Sequence, residues 1–201
     1  MKNIALLQWR KSANGLLPAI IQDARTGRVL MLGYMNEESL RATIETKEVT
    51  FFSRSKKRLW KKGETSGNTL SLVSITTDCD LDALLIRAIP NGSTCHLGKT
   101  SCFTGEEMPL ETLGELIERV KERRTSQAKE SYTKRLLEGG LEAYGAKVLE
   151  EAQELVRAAG IEGKKRTIEE AADLLYHLLV LLSGESVELE DIARELQRRR
   201  R

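Results

Sequence analysis

A change of rhythm at Met108-Pro109 constrains this chain more than any other feature. Before it, short segments rich in β-branched and aromatic residues are separated by Gly, Asn and Ser: 27–35 (GRVLMLGYM), 49–55 (VTFFSRS) and 69–80 (TLSLVSITTDCD). That is how strands and turns read. One helix, Glu37–Glu45, interrupts them, with Asn36 as its cap. After the break, apolar residues recur at spacings of three and four. Thr112-Leu-Gly-Glu115 has the form of a capping box and opens a helix over Leu113–Arg124. Tyr132–Glu138 follows, closed by Gly139-Gly140, then Leu141–Ala159, closed by Gly160. A second capping box, Thr167-Ile-Glu-Glu170, opens a helix from Ile168 to Ser183, and Leu189–Arg199 completes the set. The pattern predicts a multidomain α+β chain, β-rich over 1–108 and an all-α helical bundle over 112–201, with the boundary within 105–112. There is no internal repeat and no low-complexity linker.

With 40% apolar and 31% charged residues among 201, the chain has the composition of a globular protein rather than a disordered one. The longest unbroken apolar run, Leu178–Leu182, falls far short of a membrane span, and 1–15 has no apolar stretch of signal-peptide length. These features predict a cytoplasmic protein without a membrane partner. A formal net charge of +2 provides no field for nucleic acid, and the Arg198–Arg201 cluster reads as a solvated helix end. All three cysteines lie between 79 and 102; in a reducing compartment an odd set favours metal or thiol chemistry over a disulfide framework.

Asp78, Asp80 and Asp82 alternate at the end of the third β-like segment. In an extended chain they share one face about 7 Å apart, and a hard divalent cation relieves their repulsion; oxygen-only ligation favours Mg²⁺. A polar loop with local backbone bonds is the alternative. Cys79 would point to the opposite face. With Cys95 and Cys102 it offers three thiolates, the number that holds a catalytic zinc with one open position; three inert buried thiols are the alternative. Such a zinc lowers the pKa of its water to about 7. His96, next to Cys95 in a Gly/Ser/Thr-rich segment, is a candidate general base or acid, against a bystander role. Upstream, Arg54, Lys56, Lys57, Arg58, Lys61 and Lys62 surround Trp60 and precede a small-residue turn from Gly63 to Asn68, a combination suited to phosphates; a strand edge protected by lysines is the alternative.

These strings, FFSRSKKRLWKKGETSGN, TTDCDLDALL and CHLGKTSCF in that order, resemble phosphoribosyl-AMP cyclohydrolase. The resemblance implies a homodimer with one zinc per site, held by Cys79 of one subunit and Cys95 and Cys102 of the other. It also implies Mg²⁺ on Asp78, Asp80 and Asp82, a catalytic role for His96, and substrate contacts from Arg54, Trp60, Lys62, Glu64, Thr65 and Ser66. The reaction implied is hydrolytic opening of the purine ring between N1 and C6.

In the second half, Glu151 and Glu154 are three apart and share a helix face, with Glu150 beside it, and Glu170 and Asp173 repeat the spacing on the next long helix. Two antiparallel helices would converge four carboxylates on Mg²⁺, with phosphates completing the shell; a solvated acidic face is the alternative. Lys147, one turn before Glu151, would reach a phosphate or pair with Glu151. SYTKRLLEGG, KVLEEAQELVRAA and EEAADLLYHLLVLL resemble phosphoribosyl-ATP pyrophosphohydrolase of the all-α nucleoside-triphosphate pyrophosphohydrolase group. The resemblance implies Mg²⁺ on Glu151, Glu154, Glu170 and Asp173, substrate contacts from Lys147 and Glu150, and release of pyrophosphate from a nucleotide triphosphate. Leu149 stands where the family pattern implies a small residue. His177, one turn beyond Asp173, either supports it by a hydrogen bond or is a packed core histidine.

The two resemblances name adjacent steps of histidine biosynthesis, so the expected protein is a bifunctional hydrolase whose domain order reverses its reaction order. Three readings compete with it: a metal-stabilised nucleotide-binding module, a general nucleotide-pool pyrophosphohydrolase, and a structural-zinc protein.

Overall fold

The computed structural model describes residues 4–12, 14–103, 105, 109–125 and 131–200. Two compact units result, Met1–Gly114 and Glu115–Arg201.

In the first unit, β1 (Leu17–Asp23) and β2 (Val29–Met35) pair antiparallel, β6 (Leu84–Pro90) lies parallel to β1 on its other side, and β5 (Leu70–Thr77) pairs antiparallel with β6. The sheet order is therefore β2-β1-β6-β5. A separate hairpin joins β3 (Thr50–Ser53) to β4 (Arg58–Lys61). Three of these strands, β1, β4 and β6, lie outside the β-like segments singled out from the sequence. Alternation along β1 buries Leu17, Ala19 and Ile21 against Leu30, Phe51, Leu84 and Ile86. Gly33 of β2 matters to this packing: a Cβ there would lie 2.3 Å from the Phe51 ring. Helix α1 (Glu37–Thr46) covers the core with Leu40, and Asn36 caps it as expected, its Oδ1 accepting from Ser39 N at 2.8 Å while Ser39 Oγ accepts from Asn36 N at 2.9 Å.

The helical bundle comprises α2 (Pro109–Thr125), α3 (Tyr132–Glu138), α4 (Gly140–Arg157), α5 (Lys164–Gly184) and α6 (Leu189–Arg198). Val120, Tyr144 and Val180 form its buried centre, flanked by Leu136, Leu137 and Tyr176. Three helix ends differ from the sequence expectation. Pro109 starts α2, so Thr112 and Glu115 lie inside that helix instead of boxing its end; proline suits the first turn because its missing N–H would have no intrahelical partner there. Gly160 does not close α4. The chain passes into a π-helical turn, Ala158–Glu162, and stops at Gly163, whose φ of 87° turns the chain and whose N–H donates to Ala158 O at 3.1 Å. Consequently α5 starts at Lys164 rather than Ile168, and Thr167 Oγ1 donates back to Gly163 O at 3.0 Å within the helix rather than capping it. Among the described residues no helix is long and apolar enough to cross a membrane.

Candidate functional site

A cavity of about 510 Å³ opens in the first unit beside the β4 end, lined by Trp60, Lys62, Glu64, Thr65, Ser66, Cys95, His96 and Cys102 among others. Three loops build it. The first leaves β4 through Gly63, whose φ of 84° and close approach to Asn68 exclude a side chain: a Cβ would lie 2.4 Å from Asn68 backbone atoms. Gly67 N donates to Gly63 O at 2.9 Å and closes that loop. The second is a tight turn in which Gly98 N donates to Cys95 O at 3.0 Å and Cys95 N to Lys99 O at 2.9 Å; it buries Cys95 and leaves His96 exposed. The third docks on β2, with Cys102 N donating to Leu30 O at 2.7 Å and Ser101 Oγ to Val29 O at 2.7 Å.

Cys95 and Cys102 therefore meet, and His96 Nδ1 lies 4.0 Å from Cys95 Sγ. Burial pushes the Cys102 thiol up, and the neighbouring Cys95 adds to this. Lys62 is only 7% exposed, and its Nζ donates to Asn68 O at 3.0 Å. Burial pulls its ammonium down, while the two thiols pull it back up. Lys62 is the one group that draws the Cys102 thiol back down, against the burial and the neighbouring Cys95 that raise it. Thr94, beside Cys95, contributes a buried hydroxyl with no hydrogen-bond partner among the described residues. Trp60 stacks on Phe51 across the β3–β4 register, with centroids 5.7 Å apart. It is shared with an adjoining hollow that holds Arg54, whose guanidinium lies 3.8 Å over the Tyr34 ring. Glu64, expected to touch substrate, is paired with Arg58, which holds its carboxyl below the usual range. Asn68, the last residue of the small-residue turn expected to suit phosphates, lines the cavity, and so do Ser93 and Thr94, which were not named individually from sequence because small polar residues in a loop carry little local signal of that role.

The aspartates do converge, but not by strand alternation. β5 ends at Thr77, and Asp78 to Asp82 form a turn in which Leu81 takes φ 65° and Asp78 Oδ1 accepts from Asp82 N at 2.9 Å and Ala83 N at 3.0 Å. A carboxylate oxygen from each of Asp78, Asp80 and Asp82 lies within 4.8 Å of the others. Cys79 is not on an opposite face, because the chain has left the extended form; its Sγ lies 3.9 Å from Asp80 Oδ1, outside the cavity that holds the other two cysteines. Lys11 Nζ donates to Asp80 Oδ2 at 2.8 Å and Asp82 Oδ2 at 3.2 Å, so a cation already answers this cluster. The lysine holds the Asp80 carboxyl below its usual range.

In the helical unit, Glu151 and Glu154 on α4 meet Glu170 on α5, their oxygens within 4.8 Å of one another. Glu151 and Glu170 are buried, and Glu170 is only 2% exposed. Burial raises the Glu170 carboxyl, Arg166 opposes this, and Glu154 and Glu151 add to the rise. Buried carboxylates facing one another suit a hard cation. Asp173 is exposed one turn farther along α5 and stands outside this threesome. Lys147 Nζ pairs with both Glu150, at 2.7 Å, and Glu151, at 3.0 Å, which raise its pKa. Arg166 pairs with Glu170 and with Glu169 and was not singled out from sequence. His177 is buried, and its ring nitrogen meets the backbone carbonyl of Asp173 rather than its carboxylate, at 3.0 Å. Leu149, where the resemblance implies a small residue, is 67% exposed.

Two family models match the chain: phosphoribosyl-AMP cyclohydrolase over residues 31–104 and phosphoribosyl-ATP pyrophosphohydrolase over 113–200. Curated relatives match at nearly full length. The "Histidine biosynthesis bifunctional protein HisIE" of Xanthomonas axonopodis pv. citri is 50% identical over 196 residues, covering 98% of this chain and 94% of the relative. Proteins of the same description from Photobacterium profundum and Bacteroides thetaiotaomicron are 45% and 50% identical, covering 99% and 92% of this chain and the same shares of the relatives. With both models matched in tandem on one chain, and the relatives matched across both, the chain belongs to the family of bifunctional phosphoribosyl-AMP cyclohydrolase/phosphoribosyl-ATP pyrophosphohydrolases of histidine biosynthesis.

Proposed function

We propose how this bifunctional hydrolase divides its two reactions among its residues: the helical region, 112–201, cleaves phosphoribosyl-ATP to phosphoribosyl-AMP and pyrophosphate, and 1–108 then opens the purine ring between N1 and C6. The observation that carries this reading is the presence of two chemically distinct donor sets, thiols with an imidazole in one unit and buried carboxylates in the other.

In the first site Cys95 and Cys102 hold Zn²⁺ together with Cys79, and Asp78, Asp80 and Asp82 hold Mg²⁺. Zinc supplies a Lewis acid and an activated water when bound. The fit rests on the donor chemistry: two thiols meet beside a buried ammonium, while Cys79 lies outside their cavity. That separation supports a homodimer in which Cys79 of one copy completes the pair of another. His96, exposed at the cavity mouth, is placed to move the proton between water and the ring nitrogen as C6 is attacked. Trp60 offers an aromatic wall for the base, while Lys62, Arg54 and the loop of Glu64, Thr65 and Ser66 receive ribose and phosphate.

In the second site Glu151, Glu154 and Glu170, with Asp173, hold Mg²⁺, which neutralises triphosphate charge when bound. Lys147 bridges Glu150 and Glu151 and presents its ammonium to a phosphate oxygen. Three free cysteines suit a reducing, cytoplasmic setting.

The test is to supply phosphoribosyl-ATP with Zn²⁺ and Mg²⁺ and follow pyrophosphate together with the ultraviolet change on ring opening. Both signals in sequence are expected. Pyrophosphate without ring opening would remove the catalytic reading of the cysteine site. Equal turnover of dCTP, dUTP or ITP would favour a general pyrophosphohydrolase.

A further inference from the structure

Helix α3 contributes nothing to the carboxylate set, yet its first residue reaches behind it. Tyr132 Oη lies 3.1 Å from His177 Nε2, and the Tyr132 ring meets His177 edge-on with centroids 6.0 Å apart. Tyr176 flanks both, stacked on Tyr132 with centroids 6.4 Å apart, and its hydroxyl is tied to Thr133 Oγ1 at 2.8 Å. On the other side of the imidazole, Nδ1 lies 3.0 Å from Asp173 O and 3.8 Å from Glu151 Oε1. A carbonyl oxygen only accepts, so Nδ1 carries the hydrogen and donates. Nε2 is then left to accept from the Tyr132 hydroxyl. The buried ring thus has both nitrogens committed, Nε2 to α3 and Nδ1 to the backbone carbonyl of its own helix, and it sits beside the Glu151 carboxylate without a hydrogen bond to it.

We infer that Tyr132 and His177 are positioning residues for the pyrophosphohydrolase site, through which the docking of α3 sets the orientation of Glu151. Tyr132 fixes the imidazole plane, and the imidazole lies 3.8 Å from Oε1 of the buried Glu151 carboxylate, the same oxygen that the Lys147 ammonium meets at 3.0 Å. A carboxylate whose oxygen is confined between two packed groups loses less freedom when a cation arrives. Groups behind metal ligands act in this way, and losing one typically weakens metal binding or activity about 10- to 100-fold. The ring contacts with Tyr176 make the arrangement rigid, which lets one hydroxyl on a half-exposed residue matter at the metal. The inference rests on the reading of Glu151 as a metal ligand.

The experiment titrates the full-length protein with Mn²⁺, read by electron paramagnetic resonance, using the Glu154→Gln chain as the baseline lacking the helical site. Tyr132→Phe keeps the ring and its stacking and removes only the hydroxyl; His177→Asn keeps a donor near the Nδ1 position and removes the link to Tyr132. Each is expected to weaken the Glu154-dependent Mn²⁺ site about tenfold and to lower kcat for pyrophosphate release while leaving KM near its original value. Because both cut the same link, the double variant should be no worse than either single one. Ring opening, at a site sharing none of these residues, is the internal control. Unchanged Mn²⁺ affinity in Tyr132→Phe, or additive losses in the double variant, overturns the inference while the metal reading stands. Mn²⁺ binding and pyrophosphate release that survive Glu154→Gln overturn the metal reading, and the inference falls with it.

Discussion

In the first unit most side chains that line the cavity come from turns and loops, chiefly the loop of 63–68, the turn of 95–98 and the strap of 101–103 laid on β2, with Met31 of β2 and Trp60 of β4 beside them. In the helical unit the clustered carboxylate oxygens come from the interiors of α4 and α5, where a spacing of three residues already sets two carboxylates on one face. The turn-built site joins donors far apart in sequence and depends on backbone conformations that few residues tolerate. The helix-built site depends on packing between two regular elements and tolerates backbone change poorly only where the carboxylates are buried. The first arrangement gives chemical variety, thiol beside imidazole beside ammonium. The second gives a uniform, rigid set of oxygens.

The sharpest way to break that comparison is Glu154→Gln. Pyrophosphate release should fall at least about a hundredfold, as a charge is lost from the carboxylate cluster proposed to hold Mg²⁺, while ring opening persists in assays supplied with phosphoribosyl-AMP. Equal loss of both activities would mean that the two sites are not independent. Next comes His96→Ala, expected to slow ring opening by about 10²–10⁴-fold, the range for a general acid or base, with zinc stoichiometry by atomic absorption preserved. Loss of zinc would make His96 a ligand rather than a proton carrier. Gly63→Ala probes the dependence on turn geometry. Its φ of 84° and the 2.4 Å approach to Asn68 predict a destabilisation of about 1–3 kcal/mol, read by denaturant melting, together with loss of ring opening. The carboxylates of α4 and α5 do not depend on this turn, so pyrophosphate release should be spared. The smallest effect is expected from Thr94→Val. Removing a buried hydroxyl without a partner should leave stability unchanged or raise it by about 1 kcal/mol; a clear drop would mean that the hydroxyl is bonded in solution.

Much of the helical site was legible in the sequence because a helix has a fixed period: Glu151 and Glu154 could be placed on one face before any coordinates existed. What the period could not reveal was His177's partner, since Tyr132 lies 45 residues away and only packing of α3 brings it there. Likewise, Gly163 rather than Gly160 stops the helix pair, because a π-helical turn carries the chain three residues past the expected end. The aspartate triplet teaches a different lesson. The expected convergence occurs, yet through a turn closed on Asp78 and a left-handed Leu81, not through strand alternation, and this change of backbone also moves Cys79 beside Asp80.

The sequence by itself determined the two-part architecture, the residue types at both sites and the family, because hydrophobic period, capping chemistry and motif order are local properties. Only the tertiary structure decided that Cys95, Cys102 and Lys62 share one cavity, that Lys11 answers the aspartates, and that α3 reaches the imidazole beside the carboxylate cluster. Those arrangements depend on which loops and helices close over one another. That is set by burial of apolar surface across the whole unit, and no short stretch of chain encodes it.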